Sequence, residues 1–137
     1  SHTVGPMRAA KMFIDDMKKE GIFPNIERIQ IDLYGSLALT GLGHGTDKAV
    51  ILGLMGQTPA GVDPEKINSY LEEVKETKSL KLMGEKLVPF IPATDLLFHM
   101  DKFLPYHPNG MRFLALQKNG VELIEKVYYS VGGGFVV

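Results

Sequence analysis

The chain has no cysteine, so these 137 residues can form no disulfide and offer no thiolate to a metal. Neither charge is in surplus. Lys+Arg 15 stand against Asp+Glu 16, a formal net charge of -1, and the charges are scattered. That argues against nucleic acid as the main partner, because a phosphate backbone requires a basic surface. No apolar run approaches the roughly 18 residues of a membrane-spanning helix, and no stretch has a signal-peptide pattern, so no membrane partner is expected and a cytoplasmic home is. Several motifs are missing as well. Without HExxH, and with no two histidines four apart, a local metal site is not expected. Without GxGxxG or GxxxxGK[ST], a nucleotide site has little support. Without GxSxG, a Ser-His-Asp triad drawn from Ser36, His107 and Asp47 has no nucleophile elbow to rest on.

What is present is a normal core, 45% hydrophobic, at a length that fits a single domain over residues 1–137. The chain starts at Ser1-His2-Thr3 without a Met and stops shortly after a triple glycine. It is therefore expected to be a piece of a longer protein, truncated at both ends. Its most distinctive stretch runs from Tyr34 to Asp47. Here Gly35, Gly41, Gly43 and Gly45 alternate with Ser36, Thr40, His44, Thr46 and Asp47. Glycines admit positive φ and the close approach of a ligand, while hydroxyls, an imidazole and a carboxylate supply donors and acceptors. The stretch reads as a binding or catalytic loop between a strand and a helix.

Periodicity supplies the frame. Pro6 suits the first turn of a helix, Ala10, Phe13, Ile14 and Met17 fall on one stripe, and Gly21 closes it. Residues 28–34 alternate strictly, with Ile29, Ile31 and Leu33 on one side, the mark of a strand buried on a single face. Thr46 is expected to cap a helix from about residue 47 to 55, apolar nearly all round, with Gly56 as its stop. Asp63-Pro64 opens a further helix with Ile67, Tyr70, Leu71 and Val74 as its stripe. Residues 79–83 and 86–90 are ambiguous, because Pro89 and Pro92 argue against a central strand. Residues 94–100 read as a strand. Residues 111–118 and 121–129 flank Asn119-Gly120, a type I′ hairpin signal that would set Leu116 opposite Leu123 and Leu114 opposite Glu125. The sum is α+β: a mixed sheet with helices on one face.

The four histidines are His2, His44, His99 and His107. His99 sits within a strand beside Phe98 and Met100 and reads as structural. The other three lie in Gly- or Pro-rich segments. Prolines flanking Tyr106-His107 hold that loop stiff, and Asn109-Gly110 turns it. A neutral imidazole suits proton transfer or hydrogen bonding to a small polar ligand.

Five segments together resemble one family. They are Ser1-His2-Thr3-Val4-Gly5-Pro6, Tyr34-Gly35-Ser36-Leu37, Gly43-His44-Gly45-Thr46-Asp47, Leu104-Pro105-Tyr106-His107-Pro108-Asn109-Gly110-Met111, and Tyr128-Tyr129-Ser130-Val131-Gly132-Gly133-Gly134-Phe135. In this order, over the whole length, they resemble the N-terminal, or beta, domain of the bacterial iron–sulfur L-serine dehydratases. The resemblance implies conversion of L-serine to pyruvate and ammonia, an activity of amino-acid catabolism and gluconeogenesis. It implies a 4Fe–4S cluster held by cysteines of a second, alpha domain outside this chain. It also implies a fold like the intervening domain of phosphoglycerate dehydrogenases, α-β-α-β-β-β in order, to which the helix at Asp63 would be an addition.

By this resemblance His44, His107 and His2 are the catalytic candidates. Thr3, Ser36, Thr40, Thr46, Asp47, Asn109 and Gly133, within the run from Gly132 to Gly134, are the substrate-binding ones, and no metal ligand is expected in this chain. The helix starts after Gly5 and His44 offer donors for a carboxylate. Two other readings stay open. One is a regulatory domain that binds a small molecule without catalytic residues; the other is an interface domain whose glycine loops pack on a partner. Oligomeric state is open too, a homo-oligomer included.

Overall fold

The computed structural model describes residues 3–41, 45–132 and 135–137. Helix α1 (Val4–Lys19) buries Ala10, Phe13, Ile14 and Met17 completely, the stripe expected from their spacing. Gly21, at φ +74°, ends it. Strand β1 (Arg28–Tyr34) follows with strict alternation, Ile29, Ile31 and Leu33 fully buried against the helices. The Phe13 ring stacks on Phe113 at 5.2 Å, and Tyr128 meets Phe113 edge-on at 5.6 Å. These aromatic contacts join α1 to the sheet.

The glycine-rich stretch departs from its expected form. It is not an open loop at its start: Gly35–Gly41 form a short helix, α2. Leu37 and Ala38 pack into the core, so burial favours helix here over extended loop. Gly35 makes the turn out of β1 at φ +54°, where a Cβ would fall 2.5 Å from the Pro108 carbonyl and 2.6 Å from the Phe103 ring. Helix α3 (Thr46–Leu54) then packs closely on α1, with Ala49, Val50, Ile51, Leu52 and Leu54 buried. Thr46 is its first helical residue, fully buried, rather than its cap; Gly45, at φ +85°, holds the cap position. Gly56, at φ +92°, follows the helix end. Asp63 accepts a hydrogen bond from the Glu65 N–H at 3.0 Å and starts a short 3₁₀ turn that leads into α4 (Ile67–Thr77).

The ambiguous segments form a separate two-stranded ribbon, β2 (Ser79–Leu82) with β3 (Lys86–Pro89), so Pro89 ends a ribbon strand and disturbs no central one. Residues 94–100 are only half strand. Pro92 starts a one-turn helix, α5 (Pro92–Asp95), before β4 (Leu96–His99). Strands β5 (Gly110–Leu116), β6 (Glu122–Gly132) and β7 (Phe135–Val136) complete a five-stranded sheet in the order β4-β1-β5-β6-β7. β1 and β4 run parallel and the other pairs antiparallel, so the sheet is mixed and the class is α+β. In the hairpin, Asn119 and Gly120 take φ +67° and +74°, and Leu114 faces Glu125. A bulge places Leu116 opposite Glu122 instead of Leu123. Among the described residues no helix is long and apolar enough to cross a membrane.

Candidate functional site

The C-terminal end of β1 and the loop between β4 and β5 form one end of the sheet. The Gly35 N–H donates to the Lys102 carbonyl at 2.8 Å, and the Ser36 N–H donates to the Pro108 carbonyl at 3.0 Å. Farther along the same loop, the Asn109 N–H donates to His107 Nδ1 at 3.0 Å. Asn109 is itself tied to β6: its Nδ2 donates to the Ser130 carbonyl at 3.2 Å, and the Ser130 N–H donates to the Asn109 carbonyl at 3.0 Å. Ser130, buried, lies against the start of α1, where a Cβ on Gly5 would come within 2.1 Å of its Oγ. Thr3, the N-cap of α1, places its Cγ2 3.8 Å from where a Cβ on Gly45 would sit. The beginnings of α1 and α3 are thus side by side, and α1 is joined through Ser130 and Asn109 to the His107 loop.

This geometry sets the chemistry of His107. A ring nitrogen that accepts a backbone N–H cannot carry the proton, so the neutral ring bears it on Nε2. The Ser36–His107–Asp47 triad drawn from sequence is not assembled, because an orienting carboxylate would need the Nδ1 that Asn109 occupies. Asn109 Oδ1 is buried and has no hydrogen-bond partner among the described residues.

Of the ten candidate residues, the structure brings Thr3, Ser36, His107 and Asn109 to this end of the sheet through the contacts above. Thr46 is buried at the head of α3. Asp47, one residue on, lines a cleft of about 420 Å³ with Pro92, Ala93, Leu96, Leu97 and Phe98, on the flank of the sheet. His2, His44 and Gly133 lie outside the described residues, as does the side chain of Thr40.

Sequence reasoning passed over Ser130, whose only signal was its place just before the glycine run. It also passed over a charged network on the open face of the sheet. His99 Nε2 lies 2.7 Å from Asp32 Oδ1, and the His99 ring stacks on Tyr34 at 4.8 Å. Arg112 Nε sits 3.2 Å from Asp32 Oδ2 at an angle short of a hydrogen bond, and its Nη1 is 3.6 Å from Glu125. Burial, then the Asp32 charge, push the Tyr34 phenol above its ordinary range. The alternation of β1 put Asp32 and Tyr34 on one face, but no local signal reveals that β4 brings His99 to them.

The family model described as "Serine dehydratase beta chain" matches residues 1–137. A protein named "L-serine dehydratase" from Haemophilus influenzae is 49% identical over 138 residues, covering 100% of this chain and 30% of its own length. One of the same name from Streptomyces coelicolor is 47% identical over 137 residues, with the same two coverages. "L-serine dehydratase 1" of Escherichia coli is 46% identical over 139 residues. The chain spans about 30% of the length of these curated relatives.

Proposed function

The chain belongs to the serine dehydratase beta chain family, and from that premise we propose that it is the beta domain of an L-serine dehydratase. As a whole, that protein would be an L-serine ammonia-lyase releasing pyruvate and ammonia. The observation that carries the reading is the match of this entire chain to relatives bearing that name, at 46% to 49% identity. The reading carries with it a fold like the intervening domain of phosphoglycerate dehydrogenases, for which the mixed sheet with packed helices is the support.

The reading includes a 4Fe–4S cluster, and this chain does not fit as its holder. It has no cysteine, and among the described residues no group of three His, Cys, Asp or Glu could hold a metal. The ligands are assigned to the alpha domain of the same protein, the partner on which this domain packs. What this chain contributes is a wall of side chains and amides. Removing the weakly acidic α-proton of serine needs a placed base, and its carboxylate needs donors. With Nδ1 occupied, His107 in its neutral form is a donor through Nε2–H, suited to orienting the substrate. That leaves His44 as the first choice for the base and His2 as the second. The paired starts of α1 and α3, with Thr3, are suited to the carboxylate. Ser36, Thr40, Thr46, Asp47, Asn109 and Gly133 are the remaining candidates for substrate contacts.

The test is an assay of the full-length protein, prepared without oxygen and with its cluster verified by absorbance. Pyruvate and ammonia released in equal amounts from L-serine are the expected result. Binding of L-serine without turnover by such a preparation would favour the regulatory reading instead.

A further inference from the structure

The loop that carries His107 has a second property that its role at a serine site does not require. It is held rigidly, by the bonds of Lys102, Pro108 and Asn109 to Gly35, Ser36 and Ser130, yet it turns its largest apolar side chains outward. Phe103 is 60% exposed, Tyr106 69% and Met100 38%. The surface continues onto the open face of the sheet. Tyr106 packs on Tyr129 at 4.9 Å between ring centroids. Leu97 and Val127, 41% and 39% exposed, flank Asp32 and Arg112 in one cross-strand row. The polar side chains between Leu97 and Val127 lie close to one another, Asp32 to His99 and Arg112, and Arg112 to Glu125.

Exposed apolar side chains grouped on one ordered loop, with aromatic anchors among them, are a mark of interfaces rather than of free surface. Immobilising these side chains on docking costs little, because the loop is already ordered. We infer that the patch of Leu97, Met100, Phe103, Tyr106 and Val127 is the docking face for the polypeptide that this family's members carry beyond the present chain. The inference rests on the proposed reading only in taking that further polypeptide to be present. The occupant follows from proportion: relatives covered along 100% of this chain have only 30% of their own length accounted for by it. The chemistry of the patch specifies an apolar, uncharged counter-surface, since the neighbouring polar side chains lie close to one another. Docking there would place the His107 loop at the junction, so the serine site would be completed by the partner surface.

The test uses the full-length protein with the photoreactive residue p-benzoylphenylalanine at position 103 and, separately, at 106. Position 87, exposed on the β2–β3 ribbon, serves as control. Isotopically light and heavy chains are mixed so that links within and between copies are told apart. The expected result is cross-links from 103 and 106, at least tenfold above those from 87, to residues of the same polypeptide outside positions 1–137, with yields unchanged at high salt. Cross-links to a second copy of this domain would overturn the inference, and so would yields no higher than at position 87. Turnover of L-serine is measured separately. Cross-links without turnover would sink the activity and leave the docking face standing; turnover without cross-links would do the reverse.

Discussion

His107 shows how one backbone contact decides what a side chain can do. The Asn109 N–H on Nδ1 fixes which nitrogen holds the proton, and the identity of residue 107 alone could not have revealed that. Two neighbouring residues make the local geometry testable. A Cβ on Gly5 would lie 2.1 Å from Ser130 Oγ and 2.9 Å from its Cβ. Gly5→Ala is therefore expected to lower stability by about 1–3 kcal/mol, the usual cost of overpacking, read as a shift in the urea midpoint. Adding Ser130→Gly should recover most of it, and an unshifted midpoint in the single variant would contradict the contact. Asp95 is the other case. Its carboxylate is buried, with Oδ1 2.7 Å from Arg28 Nη2 and Oδ2 accepting the Ile91 N–H at 2.8 Å. Arg28→Met should cost roughly 1.5–3 kcal/mol, since it strips a charged hydrogen bond from a buried acceptor. A loss below the error of chemical denaturation would count against it.

The elements legible in the sequence were those whose pattern is local. The stripe of α1 and the alternation of β1 each state which face is buried, and the structure buries those faces. Elements whose form depends on distant partners were not legible. Helix α2 exists because Leu37 and Ala38 find the core. The strands β2 and β3 pair only with each other. The hairpin turns through three residues, Lys118–Gly120, with the Gln117 N–H on the Val121 carbonyl, and the bulge at Leu123 makes up the difference from the two-residue turn expected at Asn119-Gly120. Helix packing carries its own prediction. Gly53 lets α3 approach α1 so closely that a Cβ there would sit 2.4 Å from the Met7 carbonyl and 2.7 Å from Ala10 Cβ. Because the nearest atom belongs to helix backbone, Gly53→Ala should destabilise by at least about 1–3 kcal/mol, measured by thermal unfolding. A wild-type melting temperature would show that the helices can part without cost.

For the whole molecule, a pH dependence of stability is expected on the alkaline side. Burial, then the charge of Asp16 and a hydrogen bond to its carboxylate at 3.2 Å, raise the Tyr128 phenol far above its ordinary value of 10.0. Tyr34 moves the same way. With folded values raised, this stability is fully present below pH 10.0 and is lost above it, where the unfolded chain ionises and the folded one does not. The urea midpoint should fall between about pH 9 and about pH 11, and less steeply in Tyr128→Phe; equal slopes would remove Tyr128 as the cause. The site was legible to the extent that its residues sit in unusual local sequence: glycines and prolines around His44 and His107, and helix starts expected after Gly5 and His44, where α1 in fact begins at Val4 and α3 at Thr46. The contacts that join those segments, Thr3 to Gly45 and Ser130 to Asn109, arise from the packing of α1 and β6, which no single segment records. In the proposed function this chain is the proton-handling wall of a serine site. Its most direct measurement is L-serine turnover by full-length His44→Ala and His107→Ala variants with the cluster intact. We expect kcat to fall by roughly 10²–10⁴-fold in His44→Ala, with a clear loss in His107→Ala as well. Near-normal turnover in both variants would contradict it.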